Sequence, residues 1–323
     1  MMNKTTYQHM DQYNLNSELL DACYYGHLDI VQYLLTSKDL TEHADIHHKN
    51  NHGSNALMVA CALGHLDLVK YLLTSPELKE HVDIYHKDNN RVDALMSACR
   101  KGYLDIVQYL LTSSDLTEHA NIHHKNNNGV DALMFASYHG YLDIVQYLLT
   151  SLELKEHVDI HHKNNNGLNA LIYACSSGSL DIVKYLLTSP ELKAHADINH
   201  KDNSGMNALI WACINEYVDT VKYLLTSPEL KAHADINHKD NSGMNTLMYA
   251  CQEGHLDIIQ YLVIDMNMSV DEDTMSWLQG NNKDNTVYED TLKLIESRDL
   301  HQKIENTINN DKINEFRGKL LKI

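Results

Sequence analysis

The chain has 323 residues, of which 26 are basic and 44 acidic, a formal net charge of −18, and 43% are hydrophobic. A surface of that sign repels phosphate backbones and anionic bilayers, which argues against nucleic-acid and membrane-surface binding and in favour of a protein partner with a basic surface. No run approaches the roughly 18 apolar residues of a membrane helix, and the opening MMNKTTYQHMDQYN lacks the apolar stretch of a signal peptide, so a cytoplasmic protein is expected.

The chain repeats itself. Gly26, Gly64, Gly102, Gly140, Gly178 and Gly254 lie on one register of 38 residues, Glu216 fills the remaining place, and no insertion or deletion interrupts the seven copies. Residues 1–16 are an N-terminal arm, 17–265 the seven repeats, with the first acting as a cap, and 266–323 leave the period. Each repeat opens on a residue type favoured at helix N-caps, namely Ser17, Asn55, Asp93, Asp131, Asn169, Asn207 and Asn245. A short first helix, A-L-M-x-A-C-x-x, runs from there to the glycine, which takes the left-handed conformation that ends helices.

A second helix starts at once. Its L-D-I-V-K-Y-L-L pattern sets Leu28, Val31 and Leu35, or Leu180, Val183 and Leu187, on one face. Asp29 or Asp181 in its first turn suits the positive end of the helix dipole. T-S-P-E-L-K-E-H then reads as a third helical turn, with Ser189 or Ser227 as N-cap and Pro190 or Pro228 at the first helical position. The polar, glycine-ended A-D-I-H-H-K-D-N-N-G closes the unit as a turn or hairpin. Beyond the repeats, Leu292, Leu294, Ile295, Leu300, Ile304 and Ile308 recur at helical spacing. They predict a helical cap over the last repeat; the alternative is a docking helix for a second partner. Residues 283–323 hold eight basic and eight acidic side chains, so the excess negative charge belongs to the rest of the chain.

The GHLDIVQYLL stretch, HADIN at 195–199 and 233–237, and the KDNSG that precedes the next unit resemble the ankyrin repeat over residues 17 to about 265. The resemblance implies a mainly α solenoid of helix-turn-helix units with hairpin or turn connections. It also implies a non-enzymatic, monomeric scaffold that holds a protein in the groove formed by helix-1 ends and hairpin tips. Two departures stand out. The family's T-P-L-H opening becomes [N/D]-A-L-[M/I], so Met58, Met96, Met134, Ile172, Ile210 and Met248 should supply apolar packing instead. The family period of about 33 residues is lengthened by five, which we place in T-S-P-E-L-K-E-H, thickening the end of helix 2. In its near-identical tandem units and its Asn-, Ile-, Lys- and Tyr-rich vocabulary, the chain is also similar to the ankyrin arrays of amoeba-infecting giant viruses and amoeba-associated intracellular bacteria. That similarity implies a host protein as partner. Two further properties of ankyrin proteins would carry over. Hairpin Asn and His residues can be substrates of an asparaginyl hydroxylase, which would select Asn199, Asn237, His47, His123 and His161. Some ankyrin proteins recruit ubiquitin-ligase machinery through an F-box-like tail, although residues 266–323 show no matching motif.

Chemistry of the chain's own is not legible. Cys23, Cys61, Cys99, Cys175, Cys213 and Cys251 share one column with Ser137. At a repeat spacing of about 10 Å they are too far apart for disulfides, which need Cα atoms within about 7 Å; they read as small buried residues. Two histidine ladders, His43, His81, His119, His157, His195, His233 and His48, His86, His124, His162, His200, His238, cannot converge on one zinc ion. Inter-repeat hydrogen bonding is their expected role; pairing of His43 with His47 or His48 is the metal alternative. Protonating all 22 histidines would carry the charge from −18 to +4, so acid sensitivity is expected. No phosphate-binding loop, nucleophile elbow or zinc-protease motif occurs, so no catalytic residue, metal ligand or cofactor is assigned.

What varies between near-identical repeats is what stacking does not need. Before the glycine stand Tyr24-Tyr25, Ala62-Leu63, Arg100-Lys101, Tyr138-His139, Ser176-Ser177, Ile214-Asn215 and Gln252-Glu253; the hairpins add Val92, Val130, Leu168, Met206 and Met244. The column before Ala-Cys turns aromatic in the second half, with Phe135, Tyr173, Trp211 and Tyr249, and aromatic side chains are common interface hot spots. Packing is its competing role. The candidate partner-binding set is therefore Tyr138, His139, Tyr173, Trp211, Ile214, Asn215, Tyr249, Gln252, Glu253, Met206 and Met244. Glu216 should cost on the order of 1 kcal/mol if held at positive φ; Asn215 is the alternative occupant of the left-handed position. Repeat six is accordingly expected to be the weakest.

Overall fold

A computed structural model describes residues 7–154, 158–281 and 286–320, the side chains of 304 and 308–320 excepted. The chain divides into two compact units, one ending at Asp197 and one beginning at Ile198. In the first unit the helices are α1 (Gln12–Tyr25), α2 (Leu28–Thr36), α3 (Ala56–Leu63), α4 (Leu66–Thr74), α5 (Ala94–Lys101), α6 (Leu104–Thr112), α7 (Ala132–Tyr138), α8 (Leu142–Thr150), α9 (Ala170–Ser177) and α10 (Leu180–Thr188). The second contains α11 (Ala208–Ile214), α12 (Val218–Thr226), α13 (Thr246–Glu253), α14 (Leu256–Gln260), a π-helical turn over Tyr261–Asp265, α15 (Glu272–Gly280) and α16 (Thr286–Leu320). Within each unit, first helices pack on first helices of the adjacent repeats, each followed by its antiparallel second helix. The fold is a mainly α solenoid, and the described residues contain no strand beyond the isolated bridges Lys201–Asn207 and Lys239–Asn245.

The caps act as the residue types require. Asn55, Asp93, Asp131, Asn169, Asn207 and Asn245 each accept a hydrogen bond from the backbone N–H three residues on. Ser17 does not. The first helix starts earlier, capped by Asp11, whose carboxylate accepts from the Asn14 N–H, and Ser17 lies exposed inside it. Residues 12–16 are already helical here, so the helix runs through the register of the other caps.

The core is a repeated apolar seam. Met58, Met96, Met134, Ile172, Ile210 and Met248 are at most 3% exposed, as apolar substitutes for the family's histidine should be. In the second helices, the deepest residues are Val31 and Leu34, or Val183 and Leu186, while Leu28, Leu180 and Leu187 are only half-buried. The apolar stripe is thus centred on the i, i+3 pair in mid-helix. Each such Val or Leu contributes about 1.5–3 kcal/mol of burial. The six cysteines are free and buried, and burial alone pushes the Cys23 thiol up to about 12, which suppresses the reactive thiolate.

Among the described residues the five-residue extension forms no regular third helix and does not thicken helix 2; a single helical turn appears in repeat two, where the Lys79 N–H donates to the Ser75 carbonyl at 2.9 Å. The second helices end at Thr74, Thr188 and Thr226, and the next residues form hydrogen-bonded turns. Ser189 turns the chain by accepting the Leu192 N–H at 3.2 Å on its carbonyl and the Glu191 N–H at 3.3 Å on its hydroxyl. The first histidine ladder closes this turn: Nε2 of His43, His119, His195 and His233 lies 2.9–3.0 Å from the carbonyl of Ser37, Ser113, Ser189 and Ser227. His157 is outside the described residues.

Candidate partner-binding surface

The hairpins that carry the variable tips are built by one side chain each. Asp88 Oδ1 accepts the N–H groups of Asn90 and Val92, and Asn126, Asn164, Asp202 and Asp240 repeat the pattern. Neighbouring hairpins are then joined in two ways. Nε2 of His86, His124 and His162 in the first unit, and of His238 in the second, meets the hairpin carbonyl of the preceding repeat at 2.6–2.9 Å. Beside them runs an asparagine ladder, with Nδ2 of Asn89, Asn127, Asn165 and Asn241 donating to the carbonyls of Asn51, Asn89, Asn127 and Asn203. The second histidine ladder thus takes the expected inter-repeat role, whereas the first bonds inside its own repeat, and the asparagines, invariant at the hairpin tip, form a further link that the sequence expectation does not include.

The aromatic column is a strut between helix 1 and its own hairpin. Asn164 Nδ2 donates to the Tyr173 hydroxyl at 2.9 Å, Trp211 Nε1 donates to Asp202 Oδ2 at 3.0 Å, and the Tyr249 hydroxyl donates to Asp240 Oδ2 at 2.7 Å. Each hairpin Asx thus organises the turn with one atom and holds the aromatic with the other. Burial pushes the Asp240 carboxyl up, but hydrogen bonds from Tyr249, Ser242 and Met244 outweigh it and hold it low; the Tyr249 hydroxyl is pushed up to about 12 by burial and by that carboxylate. With polar tips already satisfied, Tyr173, Trp211 and Tyr249 offer a partner only their half-buried ring faces.

In the first unit, Tyr138 is 47% exposed at the end of α7, meets Tyr173 edge-on at 5.9 Å and His139 at 5.1 Å, and His139 stacks on Tyr141. Arg100 and Lys101 occupy the same two positions one repeat earlier. Burial, then the Arg100 and Lys101 charges, lower the His139 pKa. Val92 and Val130 are buried rather than displayed, whereas Leu168 is half-buried. The variable pair Tyr24-Tyr25 of the first repeat is joined by Tyr13, which the sequence does not single out: the three are 55%, 66% and 76% exposed, and Tyr13, Asp21 and Tyr24 line a cleft of about 330 Å³. The signal for it was Asp11, whose cap carries the helix back to include Tyr13.

In the second unit, Asn215, Gln252 and Glu253 are exposed, and Ile214, Met206 and Met244 half-buried. Asn215 does not take the left-handed position; its φ is −100° and its Nδ2 donates to the Trp211 carbonyl. Glu216 does, at φ 62°, with Tyr217 N–H bonded to the Ala212 carbonyl just as His65 N–H is to Ala60 at Gly64. Its carboxylate lies 3.6 Å from His255 Nδ1, and His255 Nε2 meets the Ile214 carbonyl at 2.9 Å. At the far end, Asn245 Nδ2 donates to Thr274 Oγ1 at 2.8 Å, Cys251 Sγ is 3.5 Å from Thr291 Oγ1, and Leu278, Tyr288 and Ile295 are buried. Leu292 and Leu294 are half-buried and Leu300 exposed, while the side chains of Ile304 and Ile308 lie outside the described residues.

Among the described residues no cluster of His, Cys, Asp or Glu is arranged to hold a metal ion, and no helix is long and apolar enough to cross a membrane. The architecture defines a helix-turn-helix repeat protein whose variable side chains sit at the helix-1 ends. A family model for ankyrin repeats, three copies, matches residues 19–119, 77–155, 115–194, 151–234 and 190–273 in overlapping windows. The chain belongs to the ankyrin-repeat family, a generic protein-interaction module. No curated protein matches it.

Proposed function

We propose that this chain is a non-enzymatic adaptor that binds a protein partner through the helix-1 ends and hairpin tips, in the cytoplasm of the cell in which it acts, with a host protein as the partner. One observation carries this reading. The helix caps recur in six copies and the ladders in most, while the pair before the glycine changes chemistry from repeat to repeat and is exposed at Tyr24, Tyr25 and Tyr138. Acidic residues cluster elsewhere: Asp29, Asp67, Asp105, Asp143, Asp181, Asp219 and Asp257 are all exposed in the first turns of the second helices, which suits a partner that also presents a basic surface.

Capture from host-cell lysates, read by mass spectrometry, tests it with two variants of matched thermal stability, Tyr138→Ala for the first unit and Ile214→Ala with Gln252→Ala for the second. A protein retained by wild type and lost with either variant supports the reading; a partner captured equally by all three chains refutes it. A second reading makes the array a hydroxylase substrate, favoured by the exposure of His47, His123, His161, Asn199 and Asn237. Co-expression with an asparaginyl hydroxylase should then add one oxygen to those peptides, and unmodified peptides would exclude it.

A further inference from the structure

We propose that Arg100, Lys101, Tyr138 and His139 form a site for an acidic segment of the partner protein, whose carboxylates meet the guanidinium and ammonium groups. The inference rests on the helix-1 ends being the binding face and names the chemistry they accept in the first unit.

The guanidinium is the starting point. It carries five N–H donors, and none has an acceptor among the described residues; its Nε is closed to solvent and unpaired. A buried donor left without a partner is costly, and the two oxygens of a carboxylate match the fork of a guanidinium. Lys101, exposed beside it, forms no ion pair among the described residues. The five helix-1 end pairs of this unit include no carboxylate. In a chain of net charge −18 this stretch is the exception in sign. Tyr138 and His139 stand on the adjacent helix, their rings edge-on at 5.1 Å and braced by Tyr173 and Tyr141, which gives the cations a rigid aromatic wall. The His139 pKa is lowered first by burial and then by the Arg100 and Lys101 charges, which places both cations within electrostatic reach of its ring.

The test is selection of short random peptides, displayed on phage, against the immobilised full chain and against its Arg100→Gln, Lys101→Gln double variant. Neither side chain makes a bond that holds the fold, so the variant should keep its thermal midpoint, and Arg100→Lys alone provides a second, charge-preserving comparison. Wild type should enrich sequences rich in Asp and Glu. The best such peptide, synthesised, should bind the double variant at least about tenfold more weakly and Arg100→Lys to an intermediate extent. Its binding should also move the His139 titration, followed by NMR, to higher pH. Enrichment of basic or purely apolar peptides would overturn the inference while leaving the binding face intact. No enrichment, or equal affinity for the double variant, would overturn it as well. Peptides whose binding also ignores Tyr138→Ala would count against the binding face itself.

Discussion

The repeat that ends on Gly102 and the repeat that ends on Glu216 carry the same turn with opposite chemistry. Gly102 sits at φ 84°, and a Cβ there would meet the Tyr141 ring of the next repeat at 2.3 Å. Glu216 sits at φ 62° with a Cβ in place, and its carboxylate approaches the His255 ring of the next repeat. The turn is therefore imposed by the stack rather than by the residue. What a glycine adds is a tolerance that depends on the ring packed over it, and that tolerance can be measured copy by copy.

The largest effect should come from closing that space. Gly102→Ala incurs about 1–2 kcal/mol of left-handed strain and a ring clash of similar size, so a loss of roughly 3 kcal/mol is expected in urea unfolding. Gly254, at φ 82° with nothing within 4 Å of its would-be Cβ, should lose only about 1 kcal/mol on the same change. Equal losses would show that φ alone governs the column. Next in size is the hairpin ladder. His124 is 7% exposed and its ring lies 2.7 Å from the Arg91 carbonyl, so His124→Ala should cost about 1–2 kcal/mol. The exposed neighbour His123→Ala should change the midpoint by less than about 0.5 kcal/mol. A neutral His124→Ala would remove the ladder from the forces that hold adjacent repeats together.

Much of this stack is legible in the sequence because identical units report on one another. The N-cap at Asn169, the glycine of the turn and the apolar seam each recur in register, so chance patterns are filtered out. Errors fell where a copy departs from the others or where two segments meet in space. Ser17 has the residue type of a cap but lies inside a helix that Asp11 already caps. Ser189-Pro190 has the signature of a helix start, yet the His195 ring pulls the segment into a closed turn. The strut between Asp202 and Trp211 spans nine residues of sequence and shows only once the hairpin folds back over helix 1. For the binding surface the sequence shows which positions vary; the unpaired state of Arg100 and the strut holding Tyr249 depend on three-dimensional neighbours.

Repeat six sharpens the comparison from the other side. Glu216→Gly relieves strain of about 1 kcal/mol but frees the unfolded chain and removes the 3.6 Å contact between a 59%-exposed carboxylate and the His255 ring, worth well under about 1 kcal/mol. A net gain of about 0.5 kcal/mol is expected. A loss would mean that the Glu216–His255 pair and its side-chain packing outweigh the backbone strain, and that the substitution serves the stack.

The smallest effect concerns the N-cap column, where Asp131 and Asn169 do the same work in adjacent repeats, accepting the Met134 and Ile172 N–H groups at 2.9 Å. Burial pushes the Asp131 carboxyl up, and the Met134 hydrogen bond with the His162 and Lys125 charges offsets only part of that. A carboxyl whose folded pKa exceeds its unfolded one stabilises the fold below the unfolded value, and that contribution is lost as pH rises through the folded value. At neutral pH the folded state therefore bears a buried charge that Asn would not, while Asn keeps the capping oxygen. Asp131→Asn should raise the unfolding midpoint slightly at neutral pH, and the gain should vanish as pH falls through the raised folded value of the carboxyl into the ordinary carboxylate range. A variant less stable than wild type at neutral pH would show that attraction to His162 and Lys125 outweighs desolvation. The choice of Asp over Asn in repeats three and four would then be electrostatic, tied to the histidine ladder that crosses above it.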